Sequence, residues 1–159
     1  MKRLLMFLII IVFLIFFDVL ISISLPYYLR PNIWLAYIVF VALFKSHIES
    51  VVSGFVLGVI YDVIHLTVFG VNILLFSSVG YVCGWLNKHV DETLWNVQLI
   101  VMFLGTMVYV FLYFLLLLII KISKPGIHHL LSIISTVVVG FILIRLLNLF
   151  YSQQIDRQL

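Results

Sequence analysis

The sequence has few charged residues and almost no polar connecting segments. Charged residues make up 9% of its 159 positions, whereas a typical soluble domain has about a quarter. Hydrophobic residues make up 65%, and the mean hydropathy is +1.33, which indicates an integral membrane protein. Since about 20 helical residues cross a bilayer, the length allows about six spans and leaves no room for a separate soluble catalytic domain.

The scarcity of cysteine and the lack of a basic run exclude further classes. Cys83 is the only cysteine, so neither an intrachain disulfide nor a cysteine metal cluster can form, and we expect a buried packing residue. The net charge of +3 comes without a basic run that would suit nucleic acid. The apolar stretches lack the alternation of membrane strands, which indicates an all-α membrane protein.

Turn residues and charges divide the chain into six apolar segments. Proline, glycine, asparagine and charged residues mark the breaks, where helices are expected to end. They predict one membrane domain over residues 1–159, a compact bundle of about six transmembrane helices. The helices are expected at about 4–25, 31–45, 50–67, 70–87, 95–120 and 129–151. The second is the weakest span, because it is short and Lys45 closes it early.

The start of the chain imitates a signal peptide, and the charges along the chain suggest an orientation. The first apolar stretch is too long for the core of a signal peptide and has no A-x-A-like site, so we expect a retained helix. Lysine and arginine are enriched on the cytoplasmic side of membrane proteins. One side would hold Lys2, Arg3, Lys45, Lys88 and Arg157. The other would hold Arg30, Lys121 and Lys124, so both termini are expected to be cytoplasmic.

A carboxylate interrupts the third apolar segment. Asp62 is expected near the centre of its helix, where a charge costs about 2.5–3.5 kcal/mol on insertion scales, so it must face the bundle. At about 100° per residue, the small and polar residues of this helix share one arc of about 120°. They are Ser50, Gly54, Gly58, Tyr61, Asp62 and His65. His65 is a candidate partner of Asp62, and Asp18 in the first helix lies at a similar depth, so the two carboxylates could share a proton or a polar cavity.

The fourth segment carries a similar strip of small residues. Gly70, Gly80 and Gly84 fall on the same side as Ser77. In a membrane, such strips let two helix backbones approach closely and gain packing energy. The strips therefore predict helix contacts, and the sequence leaves open whether these contacts form within the chain or with another protein.

The residues that could carry chemistry are isolated from one another. His128 and His129 are adjacent and would point about 100° apart on a helix, while His47 and Glu49 lie in a predicted short turn without a third ligand. The serines have no G-x-S-x-G context. We therefore expect no enzyme, no metal site and no cofactor.

The third and fourth segments together resemble the signature of the MreD family of rod shape-determining membrane proteins. That family shows a G-F-x-x-G-[LV]-x-x-D pattern, a short connection, and a glycine that opens the next helix. The corresponding run here is GFVLGVIYDVIHLTVFGVNILLFSSVGYVCGWL, and its matching positions are Gly54, Phe55, Gly58, Val59, Asp62 and Gly70. Pro31 before the second helix also fits, although Asn32 stands where the family often has aspartate.

This resemblance implies a non-enzymatic, multi-pass scaffold in the bacterial cytoplasmic membrane. The scaffold would belong to the elongation complex that organises lateral peptidoglycan synthesis and cell shape. Its expected partner is MreC, a single-span protein with a periplasmic domain. Through MreC it would connect to cytoskeletal MreB, to the RodA glycosyltransferase and to a class B penicillin-binding transpeptidase. The glycine strips or the Asp62 region would dock the partner helix.

Two alternatives remain open at the level of sequence. The arrangement of six helices is also similar to the vitamin-binding subunit of energy-coupling-factor transporters, which would use a cavity reached by Asp18, Asp62 and His65. A proton-linked carrier could use Asp18 and Asp62, although the sequence shows no broken helix or inverted repeat.

Overall fold

The computed structural model describes the backbone of residues 2–26, 29–65, 68–87, 94–120 and 128–155. It describes the side chains of residues 7–26, 29–65, 68–87, 94–119 and 132–146. These ranges contain six helices and no strand, so the all-α fold class is confirmed. The helices are α1 (Lys2–Ser24), α2 (Ile33–Phe44), α3 (His47–Ile64), α4 (Val71–Asn87), α5 (Trp95–Ile120) and α6 (His128–Ile155).

The shortest helix is the centre of the bundle. Every residue of α2 from Ile33 to Leu43 is buried, and the helix packs against α3, α4, α5 and α6. Because α2 is surrounded by other helices, it has no polar face, and its sequence is hydrophobic on all sides. Asn32 caps its N terminus by accepting a hydrogen bond from the Leu35 N–H at 3.1 Å. The weakest span in the sequence is therefore the core helix.

α1 lies at the edge of the bundle. Among its described side chains only Leu14 is fully buried, and a narrow stripe of isoleucines packs beside it. Phe13, Phe16 and Phe17 are exposed and contact one another on the outer side. Most of α1 is thus free to face lipid.

Three helices are long and apolar enough to cross a membrane. These segments are Phe7–Ser24, His47–Ile64 and Trp95–Ile119. The other apolar helical segments, Ile33–Phe44, Val71–Asn87 and Ser132–Leu146, are shorter within the described part of the chain. A 12-residue helix such as α2 rises only about 18 Å, so burial among its neighbours, rather than length, places it inside the bundle.

The observed bounds of α3 differ from the predicted bounds. The helix begins at His47 because Ser46 caps it, accepting a hydrogen bond from the Glu49 N–H at 3.2 Å in an S-x-x-E arrangement. His47 and Glu49 therefore lie in the first helical turn and not in a loop. The helix ends at Ile64, so Asp62 lies in its last turn. The expectation of a carboxylate near the helix centre is wrong.

Some sequence predictions concern side chains outside the described ranges. They are the orientation charges Lys2, Arg3, Lys88, Lys121, Lys124 and Arg157 and the adjacent histidines His128 and His129.

Candidate functional site

The glycines of α3 lie directly against the backbone of α4. A Cβ atom placed on Gly54 would be 2.5 Å from the Phe76 carbonyl oxygen. A Cβ atom on Gly58 would be 2.5 Å from the Ile73 Cα. Real Cβ atoms do not approach so closely, so only glycine permits this spacing of the two helices. The contact between α3 and α4 is also the most extensive in the bundle.

The glycines of α4 meet the first turns of α3 in the same way. A Cβ atom on Gly80 would be 2.6 Å from the Ser50 carbonyl oxygen, and one on Gly84 would be 2.6 Å from the Ser50 hydroxyl oxygen. The buried Ser50 hydroxyl also lies 2.8 Å from the Gly80 carbonyl oxygen, to which it donates a hydrogen bond across the two helices. Both glycine strips therefore face each other inside this chain, as far as α3 and α4 are described.

Asp62 accepts hydrogen bonds from the beginning of α4. Its Oδ2 accepts from the Gly70 N–H at 2.8 Å. Its Oδ1 accepts from the Asn72 N–H at 3.3 Å and from the Asn72 side-chain amide at 2.8 Å. We call this group of Asp62, Gly70 and Asn72 the Asp62 cap. It ties the end of α3 to the beginning of α4 through three donors.

Helix electrostatics explain how a buried carboxylate is tolerated here. Asp62 is only 2% exposed and lies at the C-terminal end of α3, where the helix dipole disfavours a negative charge. The N-terminal amides of α4 offset this, because free N–H groups and the positive end of a helix dipole stabilise an anion. The carboxylate thus acts as a cap supplied by a neighbouring helix.

Gly70 adopts a backbone conformation that favours glycine. Its φ is +100°, and a Cβ atom there would meet no other atom within 4 Å. Its role in the Asp62 cap is therefore to turn the chain so that its N–H points at the carboxylate, and not to pack against a helix.

We expect Gly70→Ala to lower the free energy of unfolding by about 1–2 kcal/mol, because a side chain disfavours positive φ while the N–H donor remains. Thermal unfolding can be followed by the reaction of a thiol-specific fluorophore with Cys83, which is fully buried until the protein opens. Val68→Ala in the same exposed turn is the control and should change stability by less than about 0.5 kcal/mol. Equal melting of Gly70→Ala and the unaltered protein would contradict the assigned backbone role.

The Asp62 cap extends to α5 through the same asparagine. The Tyr109 hydroxyl lies 3.4 Å from the Asn72 Oδ1 and donates to it, while the Asn72 amide donates to Asp62. The helix-face patterns of the sequence point to neither Asn72 nor Tyr109. A signal for Asn72 was present, since it is the only carboxamide between Gly70 and Leu86.

His65 pairs with Asp18 and not with Asp62. The His65 Nε2 lies 2.9 Å from the Asp18 Oδ2, which joins the end of α3 to α1. The Tyr61 ring stacks on the imidazole with 4.0 Å between ring centroids. The suggested pairing of His65 with Asp62 is therefore wrong, because the two side chains serve different neighbouring helices.

A polar cavity of about 290 Å³ lies at the end of the bundle where α1 and α3 end and α2 and α4 begin. All six helices contribute to its lining. The polar lining includes Asp18, Arg30, Asn32, His65, Asn72, Tyr109, Ser132 and Thr136. Asp18 therefore reaches the cavity directly, whereas Asp62 is connected to it through Asn72.

A second depression runs between α4 and α5 on the side of the bundle. This α4–α5 groove is open, has a volume of about 660 Å³ and is mostly apolar. Its lining comprises Ser77, Ser78, Tyr81, Val82, Met107, Val108, Phe111 and Leu112. Phe55, another residue of the family pattern, is 54% exposed on α3 and is not among these residues.

Comparison with known proteins identifies the family. The family model described as rod shape-determining protein MreD matches residues 1–153, which is nearly the whole chain. Searches of curated proteins and of solved structures returned no significant match. Because the match reaches all six helices and covers the glycines and the carboxylate of the α3–α4 contact, the chain belongs to the MreD family of rod shape-determining proteins.

Proposed function

We propose that this protein is a non-enzymatic scaffold of the bacterial elongation complex. The observation that carries the proposal is the match to the MreD family over residues 1–153, which supports a role in determining rod shape. In this proposal the protein binds MreC and, through it, connects to MreB, RodA and a class B transpeptidase. It thereby helps to organise lateral peptidoglycan synthesis.

The proposed scaffold is a multi-pass protein of the cytoplasmic membrane with both termini in the cytoplasm. All six helices cross in this arrangement, although α2 and α4 have only 12 and 17 residues. α2 is enclosed by protein and need not match the full hydrocarbon thickness, since its polar ends meet protein and not lipid. The 17 residues of α4 rise about 26 Å, which is closer to that thickness. The polar cavity then opens toward the outside.

The α4–α5 groove is our candidate for the surface that receives the MreC helix. Partner helices in membranes gain affinity from close packing and from small or hydroxyl side chains. Ser78 supplies such a side chain, and the groove is apolar and open to the side of the bundle. The glycine contact with α3 contributes indirectly, because it sets the position of α4, which forms one wall of the groove.

The test compares two tryptophan variants during co-purification with MreC. Ser78→Trp should fill the α4–α5 groove and reduce MreC recovery by about tenfold or more at equal expression. A loss of about 1.4 kcal/mol of binding free energy already weakens affinity tenfold. Val138→Trp places the same side chain on an exposed position of α6 and should leave recovery unchanged. Full recovery with Ser78→Trp would eliminate the groove as the docking surface.

The same purification from native membranes distinguishes the alternative function. Recovery of MreC and cell-wall synthases supports the scaffold. Recovery of paired ATPases with a coupling subunit would replace it with the vitamin-binding subunit of an energy-coupling-factor transporter. The family match favours the first outcome.

A further inference from the structure

The polar cavity has a size that suits a small molecule. Its volume of about 290 Å³ corresponds to about ten water molecules at about 30 Å³ each, at the lower end of the range for ligand pockets. A single sugar ring with its hydroxyl groups occupies a space of this order. The cavity therefore admits a monosaccharide or a headgroup of similar size.

The walls of the cavity are held in place by hydrogen bonds between different helices. The Thr136 hydroxyl oxygen accepts from the Asn32 N–H at 3.0 Å, and the Ser132 hydroxyl donates to the Arg30 carbonyl oxygen at 2.9 Å. These contacts fix α6 to the beginning of α2. A cavity braced in this way is preformed, so a ligand would bind without first ordering its walls.

Two polar atoms at the cavity have unused hydrogen-bonding capacity. Asp18 Oδ1 accepts no hydrogen bond from any described residue, since the contact with His65 uses Oδ2. The Asn32 side-chain amide donates to no described residue, since only its Oδ1 caps α2. One free acceptor and one free donor group suit hydroxyl groups, which both donate and accept.

The charges at the cavity favour a neutral ligand. Asp18 is paired with His65 at 2.9 Å, and Arg30 donates to the Ser22 and Leu25 carbonyl oxygens at the end of α1. An anionic ligand would meet the Asp18 carboxylate, and a cationic ligand would meet the Arg30 guanidinium. Because each charged ligand would also meet the opposite charge, attraction and repulsion largely offset each other, and only the cost of removing the ligand's charge from water remains.

Tyrosine rings provide apolar surfaces between these polar groups. Tyr61 stacks on His65 on the α3 side of the cavity. Tyr109 and Tyr113 lie nearly parallel on the α5 side, with an interplanar angle of 4° and 6.2 Å between centroids. Flat aromatic faces flanked by hydrogen-bonding groups suit a ring with C–H faces and hydroxyl edges. We propose that the cavity binds a neutral, ring-shaped polyhydroxylated molecule of monosaccharide size, either free or as the headgroup of a glycolipid.

The first experiment measures the binding of free glucose. The protein is placed in lipid nanodiscs without glycoside detergents, whose headgroups have the same chemistry, and binding is followed by saturation-transfer difference NMR. Glucose should give a saturable signal, and sorbitol, its open-chain counterpart, a weaker one. Val110→Trp, which fills the cavity from α5, should abolish the signal. Leu104→Trp, at an exposed position of the same helix, should leave it unchanged.

The second experiment tests the membrane-borne source. Native mass spectrometry is used on protein released from nanodiscs that contain monoglucosyl diacylglycerol or plain diacylglycerol. Selective retention of the glycolipid, lost in Val110→Trp but kept in Leu104→Trp, identifies a lipid-linked sugar. Asp18→Asn should lower the affinity for whichever of the two ligands binds by about tenfold, because a hydrogen bond to a charged group is lost.

Melting followed at Cys83 verifies that each variant is folded before binding is compared. The proposal is overturned if the unaltered protein shows neither saturable glucose binding nor selective glycolipid retention. It is also overturned if Val110→Trp binds as well as the unaltered protein, since the ligand would then lie elsewhere.

Discussion

Replacing Gly58 by leucine is expected to separate α3 from α4 and to destabilise the protein strongly. A Cβ atom at this position would already lie 2.5 Å from the Ile73 Cα and 2.8 Å from the Asn72 carbonyl oxygen. Both are backbone atoms, which cannot rotate away as a flexible side chain could. Overpacking costs about 1–3 kcal/mol when neighbours can adjust. Since these backbone atoms cannot, Gly58→Leu should lower the free energy of unfolding by more than about 3 kcal/mol.

The displacement should also reach the Asp62 cap. Asn72 contacts Gly58 through its backbone and Asp62 through its side chain, so moving α4 lengthens the hydrogen bonds of the cap. Gly58→Ala should therefore lower the free energy of unfolding by about 1–3 kcal/mol, and Gly58→Leu by more. The measurement is unfolding in detergent micelles, followed by fluorophore labelling of Cys83.

A control on the same helix separates packing from membrane insertion. Val63 is 60% exposed, and Val63→Leu should change stability by less than about 0.5 kcal/mol. If Gly58→Leu were as stable as Val63→Leu, the result would contradict the close backbone contact between α3 and α4 at Gly58. If that stable variant nevertheless recovered less MreC, position 58 would contact MreC directly.

Replacing Asp62 by alanine has the second largest expected effect. The change leaves the Gly70 N–H, the Asn72 N–H and the Asn72 amide without their acceptor. Loss of a helix cap alone costs about 0.5–2 kcal/mol, and each buried donor left unsatisfied adds about 1–3 kcal/mol. We therefore expect the free energy of unfolding to fall by at least about 2 kcal/mol. Water that enters the turn and accepts from the freed donors would keep the loss below the full sum.

Asparagine and a double-mutant cycle identify the origin of this loss. Asp62→Asn keeps one acceptor oxygen but no charge, so its stability should lie between those of the unaltered protein and Asp62→Ala. The effects of Asp62→Ala and Asn72→Ala should be clearly non-additive, because the residues share a hydrogen bond. Additive effects in the cycle would show that the carboxylate does not stabilise α4 through Asn72.

Asp18→Asn provides the contrasting case. The Asp18–His65 pair is partly exposed, with side chains 20% and 32% exposed, and such pairs contribute about 0–1 kcal/mol. The substitution should therefore reduce stability much less than Asp62→Ala. A similar loss for the two carboxylates would mean that α1 is held to the bundle mainly by its ion pair.

The family, the helical segments and the small residues of the α3–α4 contact followed from local pattern. Glycines three or four residues apart define one face of a helix wherever that helix lies in the fold. The sequence predicts the end of α3 about three residues too late, because apolar residues continue beyond Ile64. That error moved Asp62 from the last helical turn toward the helix centre and concealed its role as a cap.

The sequence by itself determined that this is a helical membrane protein of the MreD family, with two glycine-lined helices and a carboxylate beside them. Only the tertiary structure decided that α2 is the core, that Asp62 caps α4, and that His65 meets Asp18 beside a polar cavity. The physical reason is that lipid and protein interior are equally apolar. Hydropathy therefore identifies a membrane helix, but helix packing alone selects the neighbour of each of its faces.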